Sequence, residues 1–398
     1  MGTGSVVRLA VRALALVVPV AVGCSWRDGP RVPEPLALKN WLNAHHADDY
    51  RDADAAAVEG LALAMQGAAP ERPADKPINV LSVSGGGKYA AFAAGALNGW
   101  TATGTRPTFD VCTGISSGAA VAFMAFLGPK YDDQLRDIFL NLKRSDLFVW
   151  RPVRGIATGS GLMSSHPLEQ LLAARITDAI VADLRDAHAA GRRLFVGTQN
   201  VFTHRLVVWD VGALAASGRP DAVELVRKVL LAACSIPGIV PPVEFDVTIN
   251  GKHYKELHAD AGNLSQVFVR TSGALPAGSA VWVLSAGKTH PNAAKGRPRV
   301  IESMALAVSA GLYSLFRADC MKLYALCGVT RSRFNLMAVP QDFRGRTSSM
   351  VFDREESERL YLTGYQMASG AAWQTRPPDG APGDVPPPRA GTQFVAPE

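Results

Sequence analysis

Two short apolar runs, each ending in small residues and followed by a helical pattern, constrain the fold of this chain more than any other feature. Residues 78–83 lead into the glycine triplet at 85–87, and residues 90–100 then have the pattern of a helix. Residues 109–113 lead into the segment G-I-S-S-G at 114–118, which a further apolar helical segment follows. Each run therefore predicts a buried strand, a tight turn and a helix, which is the repeating unit of an α/β fold.

The same alternation continues along the chain. Strands are predicted at residues 194–197, 206–209, 280–284 and 334–339, and helices at residues 119–127, 167–175, 222–233, 300–326 and 354–367. Asp353 followed by Glu356 matches a capping box at the start of the last of these helices. We therefore expect a three-layer α/β/α fold with a mainly parallel central sheet, in which ligands bind at the carboxyl ends of the strands. Both glycine motifs lie at such ends.

The first 24 residues are typical of a bacterial export signal. Arg8 and Arg12 form a short basic region, and residues 13–22 form an apolar stretch too short to span a bilayer. The stretch ends in Ala21-Val22-Gly23-Cys24, which resembles a lipobox, where cleavage leaves an N-terminal cysteine that carries diacylglycerol. We expect an exported lipoprotein of the bacterial cell envelope, anchored to a membrane through Cys24 and facing the periplasm or the cell surface. An ordinary signal peptide or an uncleaved anchor is the alternative.

Composition divides the rest of the chain into three regions. Residues 25–75 are rich in Ala, Asp, Arg and Pro and are predicted to form a tether and an N-terminal helical region. Residues 76–375 form the main α/β domain. Residues 376–398 are rich in proline and cannot build a core, so we predict a disordered tail. His45-His46 and Asp48-Asp49 are expected on a solvated surface rather than around a metal.

The composition excludes several classes of protein. Hydrophobic residues make up 48% of the chain and charged residues 19%, which excludes a disordered protein. The formal net charge is +6, or +4 without the two arginines of the leader, and basic and aromatic residues do not alternate, so no nucleic-acid partner is expected. Cysteines and histidines lack zinc-ligand spacing, and no metal is expected.

The helix predicted at 300–326 raises two further points. Tyr313, Phe316, Tyr324 and Leu326 recur near helical spacing and are expected in the core. Cys320 and a second cysteine seven residues later would be able to pair in an oxidising compartment. On one continuous helix, however, their Cα atoms would stand about 10 Å apart, too far for a disulfide.

The segment Gly114-Ile115-Ser116-Ser117-Gly118 matches G-x-S-x-G between a predicted strand and a predicted helix. In that position the motif predicts a nucleophile elbow: a sharp turn raises the hydroxyl of Ser116 above the sheet, and Gly114 and Gly118 leave room for the backbone. The following helix also directs the positive end of its dipole at a developing oxyanion. The alternative is a turn in which Ser116 or Ser117 caps the helix.

The glycine triplet and an aspartate supply the other parts of such a site. Gly85, Gly86 and Gly87 allow backbone N–H groups to point into an open site, as an oxyanion hole or a phosphate cradle requires. Neither a dinucleotide fingerprint nor a P-loop is present. No later histidine lies in a segment typical of a Ser-His-Asp triad, whereas small residues follow Asp260. A carboxylate in a water-poor cleft is able to act as the base, because burial raises its pKa.

Together these motifs resemble the patatin-like phospholipases. That family combines a glycine-rich oxyanion loop, an elbow serine and a D-G-G/A aspartate, here Ser84-Gly85-Gly86-Gly87, the G-I-S-S-G segment and Asp260-Ala261-Gly262. Residues 232–243, A-A-C-S-I-P-G-I-V-P-P-V, resemble the segment that precedes the dyad aspartate in the family. The family's basic residue usually stands two positions after the triplet, whereas Lys88 follows it directly. The resemblance covers roughly residues 77–339.

The resemblance implies a serine acyl hydrolase that needs no cofactor and cleaves fatty acyl esters of lipids through an acyl-enzyme. Ser116 would attack the carbonyl, Asp260 would take its proton, and the amides of Gly85, Gly86 and Gly87 would bind the oxyanion. Within catalysis the alternative is a general carboxylesterase or thioesterase acting on small acyl esters. Outside catalysis the alternative is a silent lipoprotein that binds a lipid or a partner protein.

Overall fold

A computed structural model of the chain describes residues 30–32, 51–53, 76–151, 161–249, 251–271, 275–292, 299–345 and 349–378. Cys24, the His and Asp pairs at 45–49 and the tail beyond residue 378 lie outside the described residues. Within the described ranges, no helix combines the length and the apolar character that crossing a bilayer requires.

Strands and helices are numbered separately in chain order. The strands are β1 (Arg51–Ala53), β2 (Asn79–Val83), β3 (Val111–Ile115), β4 (Val149–Trp150), β5 (Met163–Ser164), β6 (Arg193–Asn200), β7 (Arg205–Asp210), β8 (Val243–Ile249), β9 (Lys252–Asp260), β10 (Ala280–Leu284) and β11 (Arg333–Met337). The helices are α1 (Ala90–Ala102), α2 (Ser117–Leu127), α3 (Asp132–Asn141), α4 (His166–Arg175), α5 (Asp178–Ala189), α6 (Val211–Ala215), α7 (Ala222–Ala233), α8 (Val300–Thr330) and α9 (Arg354–Ser369). Single 3-10 turns lie at Gly87–Tyr89, Pro129–Tyr131 and Arg144–Asp146.

The chain forms two compact units, and the parallel unit consists of Ala55–Asn141, Gly191–Phe195 and Gly262–Glu398. In it, β3, β2, β10 and β11 lie side by side in that order, and all three pairs are parallel. Every residue of β3 is buried, as are four of the five in β2. Strands covered on both faces are continuous apolar runs, which is why residues 78–83 and 109–113 do not alternate.

Helices α1 and α9 of the parallel unit pack with their backbones in contact. A Cβ atom at Gly95 would lie 1.9 Å from the carbonyl oxygen of Tyr361, and one at Gly364 would lie 2.1 Å from that of Phe92. Only glycine permits such an approach. Helix α1 is buried along most of its length, which explains why its sequence is apolar on all sides.

The antiparallel unit consists of Met1–Asp54, Leu142–Ala190 and Val196–Ala261. Strands β1, β7 and β6 are neighbours in the sheet, and the hairpin β8–β9 joins it through β6. The pairs β1–β7, β6–β9 and β8–β9 are antiparallel, and Thr198 of β6 lies opposite Asp260 of β9. The hairpin places Asp260 at the end of its second strand.

The mixed α/β fold with a parallel central sheet is confirmed, and the predicted strands and helices are present with shifts of a few residues at their ends. Helices α3 and α5 were not predicted from the sequence. Both have apolar residues at helical spacing, with Leu135 and Phe139 buried in α3 and Ile180 and Leu184 buried in α5, so the pattern for a helix was present in the sequence.

Whether Cys320 and Cys327 form a disulfide depends on the extent of α8. Cys320 and Cys327 lie on this one continuous helix and both are free thiols, because seven residues of helix span about 10 Å.

Candidate active site

Ser116 stands between β3 and α2 in a backbone conformation that an L-residue rarely adopts. Its φ is 53° and its ψ is −134°. The surrounding backbone is equally tight: a Cβ atom at Gly118 would lie 2.3 Å from the carbonyl oxygen of Ser84, and one at Gly114 would lie 2.6 Å from that of Gly118. These are the features of a nucleophile elbow, in which strain is held by close packing of the strand and the helix.

The hydroxyl of Ser116 does not cap α2. Its carbonyl oxygen accepts from the amide of Ala119 at 2.8 Å, but its side chain makes no capping hydrogen bond. The adjacent Ser117 Oγ is buried and has no hydrogen-bond partner among the described residues. The alternative that either serine is present as a helix cap is therefore wrong, and Ser116 is partly exposed at the turn.

The glycine triplet, in the loop between β2 and α1, lies against this serine. A Cβ atom at Gly85 would stand 2.9 Å from Ser116 Cβ and 3.6 Å from Ser116 Oγ. At Gly86 a Cβ atom would overlap the carbonyl oxygen of Ala286, at 1.5 Å. Gly87 has a φ of 58° and would meet the carbonyl oxygen of Ser349 at 2.4 Å. The structure thus brings the triplet and Ser116 together. A side chain at any of the three glycine positions would come too close to neighbouring atoms.

The amides of the triplet are available for a ligand. Among the described residues, none accepts a hydrogen bond from the amides of Gly85 or Gly86, although both residues are partly exposed. The loop is held instead by Ser84, whose Oγ donates to the carbonyl oxygen of Gly85 and accepts from the amide of Ala286, both at 3.0 Å. Preorganised N–H donors beside a serine hydroxyl suit the stabilisation of an oxyanion.

A buried ion pair fixes the far end of this loop, and the sequence analysis did not find it. Lys88 Nζ lies 2.8 Å from Glu356 Oε1, with the two side chains 0% and 1% exposed. Glu356 is in the first turn of α9, where its amide donates to Asp353 Oδ1 at 2.9 Å, so the Asp353 half of the predicted capping box is present. The only hint of this pair in the sequence was the position of Lys88, which directly follows the triplet, whereas the basic residue of the family usually stands one position later.

Asp260 is at the carboxyl end of β9 in the antiparallel unit and is 6% exposed. Its amide donates to the carbonyl oxygen of Ser235 at 2.8 Å, which ties the end of β9 to the segment of residues 232–243. Burial, and secondarily the negative charge of Asp260, raise the pKa of the Cys234 thiol to about 12. Near the carboxyl end of residues 232–243 the backbone packs closely against Gly161, where a Cβ atom would lie 2.9 Å from the nitrogen of Pro241.

The segment that follows Asp260 is anchored by a second carboxylate that the sequence analysis missed. Asp319 of α8 is 4% exposed, and its Oδ2 accepts from the amide of Gln266 at 2.8 Å and from Ser265 Oγ at 3.2 Å. Two residues further along, the carbonyl oxygen of Phe268 accepts from Thr113 Oγ1 at 2.6 Å, on the strand that leads to the elbow. No sequence pattern links residues this far apart.

No cluster of three or more metal-ligating side chains occurs within the described residues. The predicted lipidation site, Cys24, lies outside them.

Comparison with known proteins gives a match to a family model and matches to solved structures. Residues 81–275 match the family model Patatin, described as patatin-like phospholipase, and this range contains Ser116 and Asp260. No curated protein sequence matches the chain significantly. Among solved structures, VipD from Legionella pneumophila is 12% identical over 75% of this chain and 68% of that chain, with a TM-score of 0.37. The type III effector protein ExoU is 13% identical over 74% of this chain and 52% of that chain, with a TM-score of 0.33.

The family assignment rests on the sequence match, which spans the glycine triplet, the elbow and the aspartate in order. Residues 81–275 are therefore a patatin-like phospholipase domain, and that family is one of lipid ester hydrolases.

Proposed function

We propose that this protein is a serine acyl hydrolase of the lipase and phospholipase A type, with Ser116 as the nucleophile and Asp260 as its base. One observation carries the proposal: the strained backbone of Ser116, with φ at 53°, holds its Oγ beside the glycine loop at Gly85. Strain of this kind persists only where the surrounding structure enforces it, and it clusters at active sites.

In the proposed reaction, Ser116 Oγ attacks the carbonyl carbon of the ester and its proton passes to the Asp260 carboxylate. The amides of Gly85 and Gly86 donate hydrogen bonds to the oxyanion that forms, and each donor of this kind lowers the barrier by about 3 kcal/mol. The carbon–oxygen bond to the alcohol then breaks, and the alcohol leaves with the proton from Asp260.

The second half of the reaction releases the fatty acid. Water attacks the acyl-enzyme while Asp260 accepts one of its protons, and that proton returns to Ser116 Oγ as the ester to the enzyme breaks. The surroundings of Asp260 support this role, because its carboxylate is buried beside Cys234 and Ala261 in the water-poor environment that a carboxylate base needs.

The test compares hydrolysis of phospholipid vesicles and of p-nitrophenyl butyrate by the wild type and by Ser116→Ala, Asp260→Asn and Ser117→Ala. Ser117→Ala is the matched control, because it removes the neighbouring hydroxyl, which has no hydrogen-bond partner among the described residues. We expect Ser116→Ala and Asp260→Asn to abolish turnover and Ser117→Ala to retain it. A fluorophosphonate probe should label the wild type and the control but not Ser116→Ala.

The outcomes also separate the alternatives. Turnover of the soluble ester without turnover of vesicles would indicate a general esterase or thioesterase. A folded protein that neither turns over an ester nor reacts with the probe would indicate a silent lipid- or protein-binding lipoprotein.

We also propose that the chain is exported to the bacterial cell envelope and anchored there by lipid on Cys24. The basic and apolar leader that ends in Ala21-Val22-Gly23-Cys24 supports this proposal. Metabolic labelling with a palmitate analogue should mark the wild type, and Cys24→Ala should remove the label. A labelled Cys24→Ala protein would contradict the assignment.

A further inference from the structure

The amino-terminal half of α8 is exposed although it is apolar. Of the described side chains between Arg299 and Leu312, none is buried, and every described side chain from Glu302 to Val308 is exposed. From Val300 to Phe316 the sequence contains a single charged residue, Glu302. Apolar helices of soluble proteins normally bury such a surface, so an exposed one marks an interaction site.

The exposed apolar residues form a stripe. The projecting stripe consists of Val300, Met304, Val308 and Leu312, which are 77%, 66%, 65% and 36% exposed. Intervals of four residues place these side chains on one side of the helix, over about 18 Å of its length. The next residue at this spacing, Phe316, is 4% exposed. The stripe is therefore the continuation, beyond the core, of the face with which α8 packs.

Positive charge adjoins the exposed end of the stripe. Arg299 is exposed and directly precedes the helix, and Lys295 and Arg297 stand just before it in the sequence. The single carboxylate of this half, Glu302, accepts from the amide of Arg299 at 2.8 Å and is engaged at the helix start. An apolar stripe with cations at its end is complementary to a bilayer surface, where anionic headgroups lie above acyl chains.

A second copy of the chain fits this surface less well. A stable protein interface buries at least about 1,200 Å² in total and engages some 20 residues on each side. The projecting stripe offers four side chains in a single row, which is far below that size. Insertion among lipid headgroups requires no such area, because each apolar side chain gains from burial in the acyl layer individually.

We infer that the amino-terminal half of α8 is a membrane-contact helix that inserts the projecting stripe into the surface of a bilayer containing anionic phospholipid. The choice of a lipid surface rests in part on the proposed function, but the contact itself needs neither Ser116 nor Asp260. It also adds to the proposed anchor at Cys24, because it would orient the domain on the membrane rather than only tether it.

The test measures co-sedimentation with vesicles in the full chain carrying Cys24→Ser and Ser116→Ala, so that neither an acyl anchor nor hydrolysis contributes. Met304→Asp with Val308→Asp is compared with Leu306→Asp, which introduces the same kind of charge on the opposite side of the helix at a residue 39% exposed. We expect the double variant to lower the partition coefficient at least about tenfold and Leu306→Asp to change it less than about threefold. Vesicles of phosphatidylcholine alone should bind more weakly than vesicles with 30% phosphatidylglycerol.

Two results would overturn the inference. Equal partitioning of the double variant and the control would show that the stripe does not contact lipid. A dimer of the parent chain in light scattering that the double variant converts to a monomer would assign the stripe to a second copy. Because hydrolysis of p-nitrophenyl butyrate is measured separately in chains that keep Ser116, loss of vesicle binding and failure of the proposed chemistry are distinguishable.

Discussion

Gly85 lies directly against Ser116: a Cβ atom at position 85 would stand 2.9 Å from Ser116 Cβ and 3.6 Å from Ser116 Oγ. The two residues are 31 positions apart in the chain and leave neighbouring parallel strands at the same edge of the sheet. This contact makes a loop of free amides and a strained serine into one site.

Substitution of Gly85 by alanine should inactivate the site without unfolding the protein. The added methyl group must displace Ser116 or the loop, and misplacing one oxyanion donor lowers kcat by about 100-fold or more. The measurement is the kcat for p-nitrophenyl butyrate together with the urea unfolding midpoint. Gly328→Ala is the matched control, because no atom lies within 4 Å of a Cβ at that exposed helical position. Full activity in Gly85→Ala would show that the contact is not part of the site.

Removing one partner of the buried pair Lys88–Glu356 should destabilise the protein more than removing both. Lys88→Met leaves the Glu356 carboxylate buried without its 2.8 Å partner, which costs about 3–5 kcal/mol. The double variant Lys88→Met with Glu356→Gln should recover much of that loss, because no uncompensated charge remains. Urea unfolding of both single variants and the double variant gives the coupling free energy. Strictly additive losses would contradict this account.

Alkaline pH should destabilise the protein through its buried thiols. Burial raises the pKa of the Cys112 and Cys327 thiols to about 12, from an ordinary value of 9.0. A raised folded-state pKa gives stability that is complete below pH 9 and is lost as the pH rises from 9 towards 12. Each thiol should therefore lower the unfolding free energy by about 1.4 kcal/mol per pH unit in that window. Unfolding at pH 8, 9 and 10 measures the slope, which Cys112→Ala should reduce.

Asp319 should hold the segment after Asp260 in place. Asp319→Ala leaves the amide of Gln266 without its acceptor, at an expected cost of about 2–3 kcal/mol, whereas the hydroxyl of Ser265 keeps the carbonyl oxygen of Val267 as an acceptor. A displaced segment should also lower kcat for the ester more than it changes KM. Lys322→Ala is the control: Lys322 pairs with Asp319 Oδ1 at 3.1 Å but its side chain is 54% exposed, so its loss should cost less than about 1 kcal/mol. Equal effects of the two substitutions would refute the anchoring role.

Several parts of the site were predictable from the sequence because they are local. The glycine triplet and the G-I-S-S-G segment each need only a strand before them and a helix after them, and those elements are encoded by neighbouring residues. Helices α3 and α5 were also predictable in this way but were missed, since each has buried apolar residues four positions apart. The sequence left open whether Cys320 and Cys327 pair, because the answer depended on whether both lie on one helix, as they do.

The tertiary structure decided what depends on distant residues. The Lys88–Glu356 pair joins positions far apart in the chain, and neither residue carries a local pattern that names its partner. Tyr313, Phe316, Tyr324 and Leu326 of α8 were expected in the core. Phe316 and Leu326 are there, whereas Tyr313 and Tyr324 are only half-buried, and none of the described side chains from Val300 to Leu312 is buried. Periodicity states which side of a helix is apolar, but whether that side meets a core or solvent depends on which elements the fold brings against it.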